Sequence, residues 1–270
     1  MTKGVRFKKN YINEIIFRVN FSNILKLSGN NKEAAEDFRK IIFKDFPNIQ
    51  FKFNNNINLK VNIKSGESES LMEDGDLTWI FSNDDKNKEI ELNANFLILH
   101  YTKGAYIGFK EFLDDVLLMF KALEYYSPYK LNFMGLRYIN QINEDNIDES
   151  NIKKYINPSL TNNIIFDLED GEEFSQYLSR IDLIKDNYNL TFQYGFFNPG
   201  FPDPNFKKDF ILDYDCILRD VSLIKSQGDL INEIKNMNFF IYNKFDYSIT
   251  DELKSLMGEY NDSSNIWYKS

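Results

Sequence analysis

The chain has 270 residues, 43% of them hydrophobic, enough for one large domain or two fused smaller ones. A formal net charge of −9 and an isoelectric point near 4.9 exclude a uniformly basic surface and disfavour nucleic acid as a partner. A lone cysteine, Cys216, excludes an intrachain disulfide, and Met1–Asn10 lacks the apolar core of a signal peptide.

Taken in chain order, Met1–Asn10 is polar and basic and reads as a frayed tail. In Asn13–Ile24, Ile15, Phe17, Val19 and Phe21 alternate with polar residues that include Arg18, the pattern of a strand buried on one face. Asn31 is placed to cap a helix over Ala34–Phe46, which Pro47 stops. Strands are expected at Ile49–Phe53, Ile57–Ile63, Leu77–Ser82 and Ile90–Leu92, with Ser65–Asp76 as a polar loop or hairpin tip. Phe96–Tyr101 is a continuous apolar run, expected to be buried on both faces. A long helix over Gly108–Tyr126 carries Phe112, Val116 and Phe120 on its apolar face.

Leu131–Ile142, LNFMGLRYINQI, reads as a central strand with Tyr138 and Asn140 on one face and Arg137 on the other. An arginine in such a run must keep its head in water or find a carboxylate. It is therefore either a structural ion-pair member or a ligand-reading residue. A short helix at Glu149–Tyr155 follows. Strands are then expected at Ile164–Asp167, Phe174–Asp186, Tyr188–Phe197 and Asp209–Leu218. Helices at Asp229–Asn243 and Thr250–Gly258 precede a tail that Trp267 and Tyr268 could pin.

Both halves, 1–128 and 129–270, read as strand, helix, several antiparallel strands and long helix, with IIFRV around Arg18 matching MGLRY around Arg137. The expected fold is α+β, a tandem pseudo-repeat in one compact unit, with a helix-grip or TATA-binding-protein-like layout.

Several chemistries are absent. One histidine, His100, cannot build a two-histidine zinc site or a His–Glu zinc protease motif. There is no phosphate loop, no GxGxxG after a strand and no GxSxG elbow. Cys216 lies mid-strand and reads as a buried, inert thiol. What remains is carboxylate chemistry. Asp213 and Asp215, in FILDYDCIL, share one face of a strand and need cations. Those cations are either Arg137 or Arg18, or a divalent metal. The acidic run of Asp167, Glu169, Asp170, Glu172 and Glu173 reads as a solvated loop.

GLRYIN (Gly135–Asn140), together with EIIFRVNF, TWIFS, the Phe109–Phe112 helix start, LDYD and ITDELKSLMG, resembles a sporadically distributed, uncharacterised prokaryotic family of about this length. An N-terminal PP dipeptide expected of such families is replaced here by VRFKKNY over Val5–Tyr11. The resemblance implies a patchily distributed gene, as in mobile elements, antiviral defence and toxin–antitoxin modules. It implies no catalytic residues.

The expected function is accordingly a non-enzymatic binding protein of such a module, cytoplasmic and without a membrane segment. Its expected partner is a protein, with a homodimer as a second option, and no cofactor or metal is indicated. The candidate binding residues are Arg18, Arg137, Tyr138, Asn140, Asp213 and Asp215. The alternatives are a metal-dependent enzyme acting on nucleotides or nucleic acid through Asp213 and Asp215, and a small-ligand sensor with Trp79, Tyr101 and Tyr138 lining a pocket between sheet and helices.

Overall fold

Alternation and capping set the elements. In order, they are β1 (Arg6–Phe7), β2 (Ile12–Phe21), α1 (Lys32–Ile42), β3 (Asn48–Phe53), β4 (Asn56–Val61), β5 (Ser68–Glu73), β6 (Leu77–Ser82), β7 (Lys88–Leu92), β8 (Phe96–Tyr101) and α2 (Phe109–Glu124). The chain continues with β9 (Leu131–Ile142), α3 (Pro158–Thr161), β10 (Tyr177–Lys185), β11 (Tyr188–Phe197), β12 (Asp209–Leu218), α4 (Gln227–Ser248), α5 (Asp251–Met257) and β13 (Glu259–Tyr260). Side chains start the helices: Asn31 accepts from the Ala34 amide, Ser226 from Asp229 and Thr250 from Leu253. This computed structural model describes residues 6–29, 31–53, 56–61, 68–73, 77–145, 147–162, 169, 172, 175–203 and 205–260. The strand expected at Ile164–Asp167, the residues Asp167, Asp170 and Glu173, and the pins Trp267 and Tyr268 lie outside them.

The protein is mixed α+β, built of open antiparallel sheet and, among the described residues, five α-helices. None of these helices is long and apolar enough to cross a membrane. The chain divides into two compact units and passes between them inside β2, after Ile15, and inside β9, after Gly135.

In the larger unit (Met1–Ile15, Leu136–Asp220, Ile224–Ser270) the strand order is β10–β11–β12–β9. The even-numbered residues of β9, β11 and β12 form the core, with Leu136, Phe192, Tyr214 and Cys216 all buried. Against them lies α4, through Leu230, Ile234, Met237 and Ile241. Gly195 is the one position in β11 with a positive φ, +138°, and a Cβ there would lie 2.0 Å from the Tyr177 carbonyl oxygen, so only glycine fits. A short ladder, β1 against β13, closes the unit.

In the smaller unit (Ile16–Gly135, Val221–Leu223) the order is β2–β8–β7–β6–β3, with β4–β5 as a separate hairpin. Phe17 meets Phe120 of α2 at 6.3 Å, and Phe38 of α1 meets Phe81 at 5.4 Å. Phe112, Val116 and Phe120 are buried as their spacing predicts.

Four expectations are corrected. β8 is buried on one face only: Leu97, Leu99 and Tyr101 are inside, while Phe96, Ile98 and His100 are half-buried. An apolar run reports composition, not the number of covered faces. Within the polar stretch Ser65–Asp76, Ser68–Glu73 is a strand paired with β4, because ladder formation needs backbone groups rather than apolar alternation. The basic start is not simply frayed. Arg6–Phe7 pairs with Glu259–Tyr260, and the Lys8 and Lys9 amides donate to the Gly258 and Met257 carbonyls at 2.9 and 3.0 Å. The helix expected at Glu149–Tyr155 is a single 3₁₀ turn, Ile152–Lys154, followed by α3 behind its Asn157 cap.

Candidate functional site

The strands of the larger unit carry two kinds of polar side chain on opposite faces. Facing α4 are three neutral tyrosines. The Tyr138 hydroxyl donates to Asn238 Oδ1 at 2.9 Å, Tyr214 to Ser248 Oγ at 2.8 Å, and Tyr188 to Glu233 Oε2. Burial pushes the hydroxyls of Tyr188 and Tyr214 above the usual tyrosine range, so they remain protonated donors. Asn140 is on this side too, buried and donating to the Leu212 carbonyl at 3.2 Å. Cys216 is buried with them, its thiol pushed up to about 12 by burial.

The opposite face, away from the buried residues, is laid out by register. Arg180, Gln193 and Asp213 stand in one cross-strand row, and Asp182, Thr191 and Asp215 in the next. Arg137 on β9 closes the first row. Its Nε donates to Asp213 Oδ1 at 2.8 Å and its NH2 to Oδ2 at 2.6 Å, a bidentate fork that occupies both carboxylate oxygens. Asp213 is nearly enclosed, its side chain 9% exposed, whereas that of Arg137 is 40% exposed. The hydrogen bonds it donates to Asp213 hold the Arg137 guanidinium above its ordinary value despite partial burial, and Asp215 and Glu14 add negative charge nearby. At the outer strand, Arg180 donates to Asp182, which also accepts from Thr191 Oγ1 at 2.7 Å. On β9, Gln141 donates to Asp209 Oδ2 at 2.7 Å, leaving the buried Oδ1 without a partner among the described residues.

Asp215 stands between the two ion pairs. It makes no hydrogen bond or ion pair among the described residues. Burial raises its carboxyl above the ordinary 3.8, the Arg137 charge opposes that rise, Asp213 reinforces it, and Arg180 opposes it again. Aliphatic side chains surround this polar patch: half-buried Ile139, Ile211 and Ile217, and Ile184, 72% exposed.

The six candidate residues are therefore divided. Arg137, Asp213 and Asp215 share the open face. Tyr138 and Asn140 are spent on the α4 side, and their odd–even offset from Arg137 in the strand already separates them from it. Arg18 lies in the smaller unit, where its Nε donates to Asn20 at 2.8 Å and its guanidinium sits 5.0 Å from the centre of the Phe96 ring. Arg180, Asp182, Thr191 and Gln193 were not among the candidates. Their signal is the same-face spacing of Arg180 and Asp182, in a strand too polar to suggest a shared row.

The proposed metal and pocket chemistries meet occupied groups. Among the described residues no cluster of three or more His, Cys, Asp or Glu is arranged for a metal, and Arg137 already bonds each oxygen of Asp213 once. Trp79 is buried beneath Phe51 at 5.8 Å. Tyr101 is buried and donates to Asp115, which also takes the Lys88 ammonium at 2.9 Å. No protein-family model, no curated protein and no solved structure matches the chain significantly.

Proposed function

We propose that this is a non-enzymatic binding protein that holds a protein partner on the open face of β10–β11–β12–β9, within a prokaryotic antiviral defence or toxin–antitoxin module. The carrying observation is Asp215: a half-buried carboxylate, unpartnered among the described residues, set between two closed ion pairs. Such a group has already lost part of its hydration and gains most from an incoming ammonium or guanidinium. A hydrogen bond to a charged group is worth roughly 1.5–3 kcal/mol. The neighbouring isoleucines supply apolar contact, and the net charge of −9 draws a basic partner. Placement in a defence or toxin–antitoxin module is supported by the GLRYIN and ITDELKSLMG resemblance.

The tandem repeat and the helix-grip or TATA-binding-protein-like layout belong to the same proposal. They are supported by strand order. In β2–β8–β7–β6–β3 and in β9–β12–β11–β10, the first long strand lies beside the last, and the rest follow in reverse chain order. An experimental structure whose two units fail to superpose strand for strand removes the repeat.

The test is co-expression with the products of the adjacent genes, followed by size-exclusion chromatography. Co-elution that is lost in Asp215→Lys, with the wild-type circular dichroism spectrum retained, supports the reading. Failure of every neighbouring product to bind, or binding indifferent to Asp215→Lys, overturns it. A Mg²⁺-induced rise in melting temperature that disappears in Asp215→Asn puts the metal-dependent enzyme in its place.

A further inference from the structure

Strand β3 is the outer strand of its sheet: among the described residues it pairs only with β6. Outer strands carry a row of backbone donors and acceptors that are free to pair with another chain, and proteins usually blunt them with charge, proline or a covering element. In β3 the blunting is slight. NIQFKF contains no proline and one charge, Lys52, which is held at 2.9 Å by Glu91 of its own sheet. Its odd-numbered residues face the helix side but lie beyond the helices. Phe38 of α1 covers Phe81 on β6, whereas one strand further out Ile49, Phe51 and Phe53 are 38%, 56% and 56% exposed. Phe51 and Phe53 pack edge-to-face on each other at 5.7 Å and form a continuous apolar ridge.

We infer that β3 is a self-association edge, pairing antiparallel with β3 of a second copy of this chain about a twofold axis at Phe51. Register selects this arrangement. The side-chain faces match only when the paired residue numbers sum to an even value. An axis at Lys52 sets two ammonium groups opposite each other, which repel. An axis at Gln50 leaves Phe53 unpaired. The axis at Phe51 places Phe51 against its own copy, Ile49 against the second copy's Phe53, and Gln50 against the second copy's Lys52. All three exposed apolar residues are then covered, and no like charges meet across the seam. The arrangement is isologous and closed, so it ends at a dimer rather than a fibre. The two chains each carry a net charge of −9 and repel at long range, so association strengthens with added salt.

Sedimentation velocity on the full chain, from about 1 to 100 µM at low and moderate salt, provides the test. The expected result is a concentration-dependent dimer that tightens with salt and that Phe51→Lys weakens roughly tenfold or more, since it sets two new charges face to face. Phe51 is exposed, so the variant should keep the wild-type circular dichroism spectrum. A second variant, Phe51→Cys, places a thiol at the axis in a chain whose own Cys216 is buried, and mild oxidation should link it as a disulfide dimer. A control, Ile184→Cys on β10, should not link. A monomer throughout the range, a dimer indifferent to Phe51→Lys, or equal linking of the control overturns the inference.

Discussion

The two faces of β9, β11 and β12 hold polar groups under opposite rules. On the α4 side Tyr138, Tyr214 and Asn140 are neutral, bonded and buried, and half-buried Tyr188 is bonded to Glu233. On the open side charged groups stand among neutral Thr191, Gln193 and Gln141, and their satisfaction is uneven: Asp213 has two bonds from Arg137, while Asp215 has none among the described residues. Neutral donors can be buried at modest cost once bonded. A buried charge needs a partner of opposite sign, and where that partner is lacking the group costs stability. The helix side thus satisfies these groups within the fold, and the open face gives up some stability at one residue.

Substitutions separate the faces by size and sign. The largest loss should come from the core beneath α4. Met237 is fully buried, and Met237→Ala should cost roughly 2–5 kcal/mol in urea denaturation. A loss under about 1 kcal/mol would mean that α4 is not held by its apolar face.

Next comes Arg137→Ala, which leaves the nearly enclosed Asp213 carboxylate unpaired. About 1–3 kcal/mol is expected, below the scale of fully buried pairs because the arginine itself is partly hydrated. Adding Asp213→Asn to Arg137→Ala should recover part of that loss. Additive losses in this double-mutant cycle would show that the fork contributes nothing to stability.

Tyr138→Phe should cost about 0.5–1.5 kcal/mol, and the cost should be indifferent to pH between 5 and 8, because a neutral hydroxyl bonded to an amide is being removed.

The smallest effect should have the opposite sign. Asp215 has a raised carboxyl in the folded chain, so the folded state binds its proton more tightly than the unfolded state does. Stability from this group is therefore present at low pH and lost as pH rises from 3.8 through the raised folded value. Above that window the ionised carboxylate is a standing penalty, so Asp215→Asn should melt slightly higher than wild type at pH 7. The difference should shrink as pH falls toward 3.8. A variant that melts lower at pH 7 would mean that Asp215 has a stabilising partner.

Parity makes much of this site legible in the sequence. The two-residue period places Arg137 opposite Tyr138 and Asn140, and sets Asp213 beside Asp215. Elementary desolvation then demands a cation for them, and Arg137 is on a neighbouring strand. Which carboxylate it takes is a matter of register between β9 and β12, and register is invisible in a single sequence. The row from Arg180 to Gln193 to Asp213 depends on two such registers at once. The same limit applies to Arg6–Phe7 and Glu259–Tyr260, two-residue strands too short for any period to declare. The one-sided burial of β8 escaped because the apolar residues on its open side do not distinguish covered from uncovered faces.

The glycine at position 195 has a genetic consequence. Most damaging core substitutions can be suppressed by a second change, because side chains can trade volume. At Gly195 the obstacle to any side chain is the Tyr177 carbonyl, a main-chain atom common to every amino acid. No replacement at position 177 can remove it. Intragenic suppressors of a Gly195→Ala lesion should therefore be missing from residue 177 itself. They should appear, if anywhere, as insertions or deletions that let the start of β10 pull away from β11.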